Sequence, residues 1–300
     1  MRDSKDALQR ARRELRPPED AYERFLRRRD RKRRNGRIAA GVLGLAVASG
    51  GLLAAVSVFT NAGVQTRPAS SCVPIPADLT HWWPADGSGA DAIAGRPATL
   101  HGDATFGPGL IGQTFVLDGA GDFVSVPHDP ALDVGTRDFT VALWVNFDDT
   151  KGEQILVEKW VQRSFEPEVV SGWTLTKLRD NHIGFATEGG FSADSAHLDI
   201  LLETWIHFAA RRSGDEFQIL MNGEVIASKT APNESVLDLD SPSSLKFGHR
   251  GGPDDTPGSI SHQRYFLNGR IDEVKLIVGR ALSNREIRAI VEAGESGRQC

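Results

Sequence analysis

Two pairs of carboxylates stand at alternate positions in this sequence, Glu166 with Glu168 and Asp238 with Asp240. Two carboxylates on either side of one glycosidic bond can serve as acid and nucleophile of a glycoside hydrolase. A proline lies within the first pair and close after the second, and proline favours loops over the strand that would place alternate residues on one face. We therefore interpret both pairs as solvated acidic surface and expect the protein not to be an enzyme. A glycoside hydrolase is the alternative.

Other catalytic and metal-binding motifs are missing from the sequence. The eight histidines are scattered, and neither His-Glu-x-x-His nor Gly-x-Ser-x-Gly occurs. The acidic residues between Asp86 and Asp91 lack the spacing of an EF-hand loop. Hard oxygen ligands are nevertheless available to a cation at Asp86, Asp118, Asp122, Asp272 and Glu273.

The charge is distributed unevenly along the chain. Residues 1–37 hold 15 Lys/Arg and 7 Asp/Glu, a net charge of +8, so the rest of the chain carries −13 of the total of −5. Residues 38–59 follow the basic head with 22 uncharged residues, enough to cross a hydrocarbon core ~30 Å thick as a helix. A cleaved signal peptide would have a shorter apolar region and a shorter basic region. We expect a single-pass protein of the cell membrane, with its N-terminus in the cytoplasm and its C-terminal domain outside.

We therefore interpret the basic head as the signal that keeps the N-terminus in the cytoplasm, and not as a nucleic-acid-binding region. A cytoplasmic partner of the head, which would make the protein a membrane sensor, is a further alternative. Small residues four apart in the apolar run (Ala40, Gly44 and Ala48) allow close packing of helices in a bilayer. This spacing favours weak self-association through the helix, and the alternative is that alanine and glycine are simply common in such helices. The sequence thus predicts a head at 1–37, a transmembrane helix at 38–59, a linker at 60–71 and a folded domain at 72–300.

The folded domain has the pattern of an all-β protein. Residues 139–147 alternate over nine positions and carry large apolar groups on both faces, which predicts a strand between two layers. Met221-Asn222-Gly223-Glu224 predicts a type I′ hairpin turn. The one helix signal is a capping box, with Ser283 and Glu286 opening a helix over 284–293 and Gly294 ending it. Further strands are predicted at 81–83, 115–117, 123–126, 154–159, 172–178, 182–187, 205–211, 217–221, 224–228, 244–247 and 269–278. About a dozen strands with little helical periodicity indicate an antiparallel two-sheet sandwich.

Several segments in sequence order carry a family resemblance: LDGAGDFVSVPHDPALDV, FTVALWVNF, ILVEKW, WIHFAA, ILMNGEVIAS and LNGRIDEVKLIVGRALSNREI. Together they resemble the laminin-G-like, concanavalin A-like jelly rolls of bacterial surface proteins over residues 76–294. The resemblance implies two antiparallel sheets, and it implies a module for binding or adhesion without fixing one activity. We expect recognition of a carbohydrate or a protein at the cell surface, and the sequence does not identify the ligand-binding residues.

The resemblance also implies a metal site. Concanavalin A-like folds often carry a structural Ca²⁺ that joins an early loop to the last strand, and by this resemblance Asp86 and Asp272 are the candidate ligands. The alternative is that Asp272 caps a turn or pairs with Arg270.

Two cysteines flank the domain, Cys72 and Cys300. Because an extracytoplasmic location permits disulfides, a Cys72–Cys300 bond is the one intramolecular pairing available. Two free thiols are the alternative.

Overall fold

A computed structural model of the chain describes residues 76, 78–165, 168–187, 190–231, 237–250 and 265–297, with residues 162–165 and 168–170 described as backbone only. The chain divides into two units, Met1–Thr66 and Arg67–Cys300, and the described residues lie in the second. The predicted head, transmembrane helix and linker, and both cysteines, lie outside the described residues. Among the helices that are described, none is long and apolar enough to cross a membrane.

The described part of the chain consists mainly of strands. They are β1 (His81–Trp83), β2 (Thr99–His101), β3 (Thr105–Pro108), β4 (Gln113–Asp118), β5 (Phe123–Val126), β6 (Phe139–Phe147), β7 (Gln154–Phe165), β8 (Glu168–Lys177), β9 (Ile183–Thr187), β10 (Ser192–Asp194), β11 (Trp205–Ser213), β12 (Glu216–Met221), β13 (Glu224–Thr230), β14 (Leu245–Phe247) and β15 (Asn268–Val278). A short 3₁₀ helix spans Pro130–Leu132, and one α-helix, α1, spans Asn284–Ser296.

The described strands form two antiparallel sheets. The eight-stranded sheet has the order β13-β12-β11-β6-β15-β4-β3, with β1 also paired to β15, and the seven-stranded sheet has the order β10-β9-β8-β7-β14-β5-β2. Strands distant in sequence are neighbours in both sheets, as in β6 beside β15 and β7 beside β14. This two-sheet sandwich confirms the predicted all-β fold class.

Strand β6 is buried on both faces, as its sequence predicts. Phe139, Val141, Leu143, Val145 and Phe147 enter the main core between the sheets. On the opposite face, Ala142 joins Leu220, Ile277 and the helix residues Ile287 and Ile290 in a second apolar cluster. Helix α1 therefore covers the outer face of the eight-stranded sheet and not that of the seven-stranded sheet.

Helix α1 begins where predicted and ends later. The Ser283 hydroxyl accepts from the Glu286 N–H, and the Glu286 carboxylate accepts from the Ser283 N–H at 2.8 Å, which completes the capping box. The predicted stop at Gly294 is wrong, because the helix continues to Ser296 and ends at Gly297, whose φ of +63° suits a C-cap. Gly294 lies inside the helix, where a Cβ atom would come 2.7 Å from Nε1 of Trp144. The glycine permits close packing of the helix on the sheet.

The predicted hairpin turn joins β12 and β13. Asn222 and Gly223 both have positive φ, +49° and +82°, as a type I′ turn requires. Three short strands, β2, β3 and β10, were not predicted. Each has three or four residues, too few for a clear alternation, and each forms because a longer strand offers it a partner.

Candidate functional site

The seven-stranded sheet carries polar side chains on the face that points away from the core. In β8, Trp173 and Leu175 enter the core, so Thr174 and Thr176 point to the outer face. Glu158 of β7 stands directly opposite Thr174 in the antiparallel register, and cross-strand partners share a face. Neighbouring strands thus place hydroxyls and carboxylates side by side on this surface.

Arg250, three residues after β14, joins these groups. Its Nε donates to Glu158 Oε2 at 3.3 Å, and its two terminal nitrogens donate to Glu153 Oε1 and Thr174 Oγ1, each at 3.4 Å. The Glu158 side chain has no exposed surface, and the side chains of Arg250 and Glu153 are 18% and 17% exposed. Partial burial strengthens such charged contacts relative to those on an open surface. The guanidinium therefore links the loop before β7, β7 itself and β8.

Two aromatic rings flank the same guanidinium. Its central carbon lies 5.8 Å from the centre of the Trp160 ring and 5.3 Å from that of Tyr265. These are cation–π distances. The rings and the two glutamates together hold Arg250 in one place.

A groove of about 170 Å³ opens beside this cluster. Its lining combines one aromatic ring, small residues and polar groups: Glu153, Trp160, Thr174, Thr176, Leu178, Gly184, Ala186, Ser192, Asp194 and Arg250. We call this lining the sheet groove. An apolar surface with a few convergent polar groups is typical of a small-molecule site.

The polar groups of the sheet groove are ordered by their own hydrogen bonds. The hydroxyls of Thr174 and Thr176 lie 2.9 Å apart, and the Ser192 hydroxyl donates to Asp194 Oδ1 at 2.7 Å. Gly184 makes room for this carboxylate, since a Cβ atom there would lie 2.9 Å from Asp194 Oδ1. Hydroxyls that donate and accept, next to carboxylates that accept, match a ligand rich in hydroxyl groups.

The predicted metal ligands lie elsewhere, at the turn between β3 and β4. Asp86 Oδ1 accepts from the Gln113 N–H at 2.8 Å. Asp272 Oδ2 accepts from the N–H groups of Leu110 at 2.9 Å and Ile111 at 3.4 Å. The structure therefore brings both carboxylates to one turn, and Asp272 caps that turn as its alternative reading proposed. Arg270 instead pairs with Asp148 at 3.7 Å.

The surroundings of Asp272 fit a cation in part. Its other oxygen, Oδ1, is buried and has no hydrogen-bond partner within the described residues. Burial, with the neighbouring charge of Glu273, raises the pKa of Asp272 to about 8. A cation would favour the ionised form and use the free oxygen. Yet no group of three or more His, Cys, Asp or Glu residues suited to a metal occurs in the described ranges. Calcium binding by Asp86 and Asp272 stays a prediction.

The other acidic candidates accept hydrogen bonds from backbone N–H groups. Asp240 Oδ1 accepts from the Gly135 N–H at 2.5 Å, and Asp238 Oδ1 accepts from the Asp240 N–H at 3.1 Å. Asp122 accepts from the N–H groups of Asp103 and Asp118. Glu166 lies outside the described residues, and the side chain of Glu168 is not described.

Sequence reasoning missed the residues of the sheet groove. Trp160 and Glu158 belong to ILVEKW, which carried the family resemblance, but nothing in that segment shows which side chains face outward. Arg250 and Asp194 lie in segments without a motif. The register of β7 with β8 shows which side chains share the outer face, and this register is known only from the folded sheet.

Comparisons with known proteins agree with the architecture. A family model described as the concanavalin A-like lectin/glucanases superfamily matches residues 118–288, more than half of the chain. No relative was found among curated proteins.

Solved structures resemble the sandwich at low sequence identity. Domain 4 of AbnA, a GH43 extracellular arabinanase from Geobacillus stearothermophilus in complex with arabinotriose, is 16% identical with a TM-score of 0.52, over 71% of this chain and 98% of that domain. The binding domain of botulinum neurotoxin DC in complex with SialylT is 12% identical with a TM-score of 0.54, over 72% of this chain. The binding domain of botulinum neurotoxin serotype C1 is 14% identical with a TM-score of 0.55, also over 72%. The match spans about half of each toxin domain, 51% and 52%. At these identities the likeness concerns the fold alone.

Proposed function

The chain belongs to the concanavalin A-like lectin/glucanases superfamily, as its sequence predicted, and we propose that its sandwich domain is a non-catalytic module that binds carbohydrate. The sheet groove carries this proposal. It places the Trp160 ring beside the hydroxyls of Thr174, Thr176 and Ser192 and the carboxylate of Asp194. Sugars present apolar C–H faces that pack on aromatic rings and hydroxyls that bond to such polar groups.

The structural neighbours support the same reading. Domain 4 of AbnA is described in complex with arabinotriose, and a toxin binding domain is described in complex with SialylT. The match covers 98% of the AbnA domain and 51% of the toxin domain, so the AbnA domain gives the stronger support. A protein ligand at the cell surface is the alternative occupant. The groove favours a sugar because it is small and sets an aromatic ring beside convergent hydroxyls and carboxylates.

A glycan array probed with the full-length protein tests the proposal. We expect binding to at least one glycan, and we expect Thr176→Ala and Asp194→Asn to weaken that binding at least about fivefold. Thr176→Ala removes a hydrogen bond worth ~1 kcal/mol, and Asp194→Asn replaces a charge-assisted hydrogen bond by a weaker neutral one. Asp199→Asn is the matched control, because the Asp199 side chain is fully exposed outside the groove. Absence of glycan binding, or binding insensitive to both groove variants, contradicts the proposal.

The state of the groove carboxylates supports the absence of catalysis. A retaining glycosidase needs two accessible carboxyl groups about 5 Å apart, one on each side of the bond. Glu158 is fully buried, and both Glu153 and Glu158 bond to the same guanidinium. We expect no hydrolysis of any glycan that the protein binds. Turnover that disappears in Glu153→Gln would show that the module is an enzyme.

We also propose that the module is anchored in the cell membrane with its sandwich outside. The uncharged 22-residue run at 38–59 and the +8 head before it support this arrangement. Protease added to intact cells should digest the sandwich and spare the head, which antibodies to each part would detect. A sandwich that stays intact in unbroken cells, or is released as a processed soluble form, contradicts the anchor.

A further inference from the structure

We propose that the sheet groove selects uncharged sugars and discriminates against acidic ones such as uronic and sialic acids. This inference rests on the proposed function and names the ligand class of the same site. An arginine in a sugar site would ordinarily indicate recognition of a carboxylate. The contacts of Arg250 lead to the opposite conclusion.

Three of the five N–H groups of the Arg250 guanidinium already bond to the protein. Its Nε and both terminal nitrogens donate to Glu158, Glu153 and Thr174 at 3.3–3.4 Å. Aromatic rings lie near the same guanidinium, with Trp160 and Tyr265 at 5.8 Å and 5.3 Å. A ligand carboxylate that paired with this guanidinium would compete with Glu153 and Glu158, whose carboxylates already balance its charge. Arg250 is therefore a positioning residue of the groove wall.

The remaining charges of the groove lining are negative. Glu153 and Asp194 line the groove, and Glu158 lies beneath it against the same guanidinium. The ammonium of Lys229 contacts this end of the sheet from its edge, where it donates to the Ser192 carbonyl at 2.7 Å and packs over the Phe191 ring at 4.9 Å. Glu158 also has Lys246 of β14 opposite it in the register, so the charges that face a ligand are the two lining carboxylates, Glu153 and Asp194, and the paired Arg250. A ligand hydroxyl can donate to Asp194, whereas a ligand carboxylate would be repelled.

The size of the groove limits the recognised unit. A volume of about 170 Å³ is smaller than the ~300–1,000 Å³ of typical small-molecule pockets. We expect the groove to hold one sugar residue of a chain, so the charge of that single residue decides the affinity.

Pairs of glycans that differ only in oxidation at C6 test the inference on the full-length protein. The probes are oligomers of glucose and glucuronate, galactose and galacturonate, and mannose and mannuronate, titrated at low and high salt. In each pair that binds, we expect the neutral member to bind on the order of tenfold more tightly at low salt. Salt should narrow this gap, because it screens the repulsion.

Asp194→Asn should also narrow the gap, since it removes one of the repelling charges while it keeps a polar side chain of the same size. Asp199→Asn, the exposed control, should leave the gap unchanged. A uronate that binds as tightly as its neutral partner, or a gap that Asp194→Asn leaves unaltered, overturns the charge selectivity and leaves the proposed function standing. Absence of all glycan binding instead removes the proposed function and this inference with it.

Discussion

The outer face of the eight-stranded sheet buries charged residues that a surface strand would expose. Lys275 Nζ bonds to Glu273 Oε2 at 2.6 Å with both side chains almost fully buried, and Trp82 Nε1 donates to the same oxygen at 2.8 Å. The ring of Trp82 also lies under the ammonium, 5.1 Å from its centre. Removing one member of such a pair would leave an uncompensated buried charge. Asp272 directly precedes Glu273 in β15.

Asp272 should make the protein less stable as the pH rises. Its folded pKa of about 8 is above the ordinary 3.8, so the folded state holds a proton that the unfolded state has lost between these values. The free energy of unfolding should therefore fall from about pH 4 to pH 8 through this group. Asp272→Asn removes the titration and keeps the hydrogen bonds to the turn.

Urea denaturation in EDTA at pH 5, 6.5 and 8 measures this effect. The variant should gain stability relative to the wild-type protein at each step, whereas the exposed control Asp199→Asn should follow the wild-type protein. A variant that parallels the wild-type protein at all three values contradicts the expectation.

The same carboxylate is the centre of the calcium prediction. Bound Ca²⁺ would require ~6–8 oxygen ligands, and binding to the folded state alone would stabilise it by mass action. We expect added Ca²⁺ to raise the Tm of the full-length protein and Asp272→Ala to abolish the increase. A melting curve that EDTA leaves unchanged would restrict Asp272 to its hydrogen bonds with Leu110 and Ile111.

At the scale of elements, a glycine in helix α1 allows the helix to pack closely on β6. Gly294 faces Trp144, and a Cβ atom there would meet three ring atoms at 2.7–2.8 Å. In β6, Leu143 points into the main core. Successive side chains of a strand point to opposite faces, so Trp144 points away from that core. The helix therefore covers the outer face of the eight-stranded sheet. It leaves the outer face of the seven-stranded sheet for the sheet groove.

Gly294→Ala should destabilise the protein although alanine favours helices. Alanine gains ~1 kcal/mol of helix propensity over glycine, but forcing a methyl group into packed surroundings costs roughly 1–3 kcal/mol. We expect a net loss and a lower Tm in thermal unfolding. Arg285→Ala, an exposed change in the same helix, should alter stability by less than ~0.5 kcal/mol. A Gly294→Ala protein as stable as wild type would show that the helix can move off the sheet.

At the scale of the whole molecule, a Cys72–Cys300 disulfide would join the two ends of the exported domain. Closing a loop of about 229 residues corresponds to about 5.5 kcal/mol in the chain-entropy model, which is an upper figure. Non-reducing peptide mapping of the protein isolated from cells should recover the two cysteines in one linked peptide. Two thiols open to alkylation would rule out the bond.

Local patterns in the sequence determined the elements of this protein and their class. Nine alternating residues predicted β6 and its two buried faces, Asn222-Gly223 predicted a hairpin, and Ser283 with Glu286 predicted the start of α1. These signals depend on residues within a few positions of one another, so they can be read without the fold. The family resemblance added the two-sheet architecture.

Only the tertiary structure decided where the candidate site lies. Glu153, Thr174, Asp194 and Arg250 come from separate elements, and the first and last are 97 positions apart in the sequence. Their meeting depends on the register of β7 with β8 and on the return of the chain through β14. The end of α1 was decided in the same way, because the contact of Gly294 with Trp144 exists only after the helix has packed. Long-range contacts of this kind leave no periodic trace in the sequence.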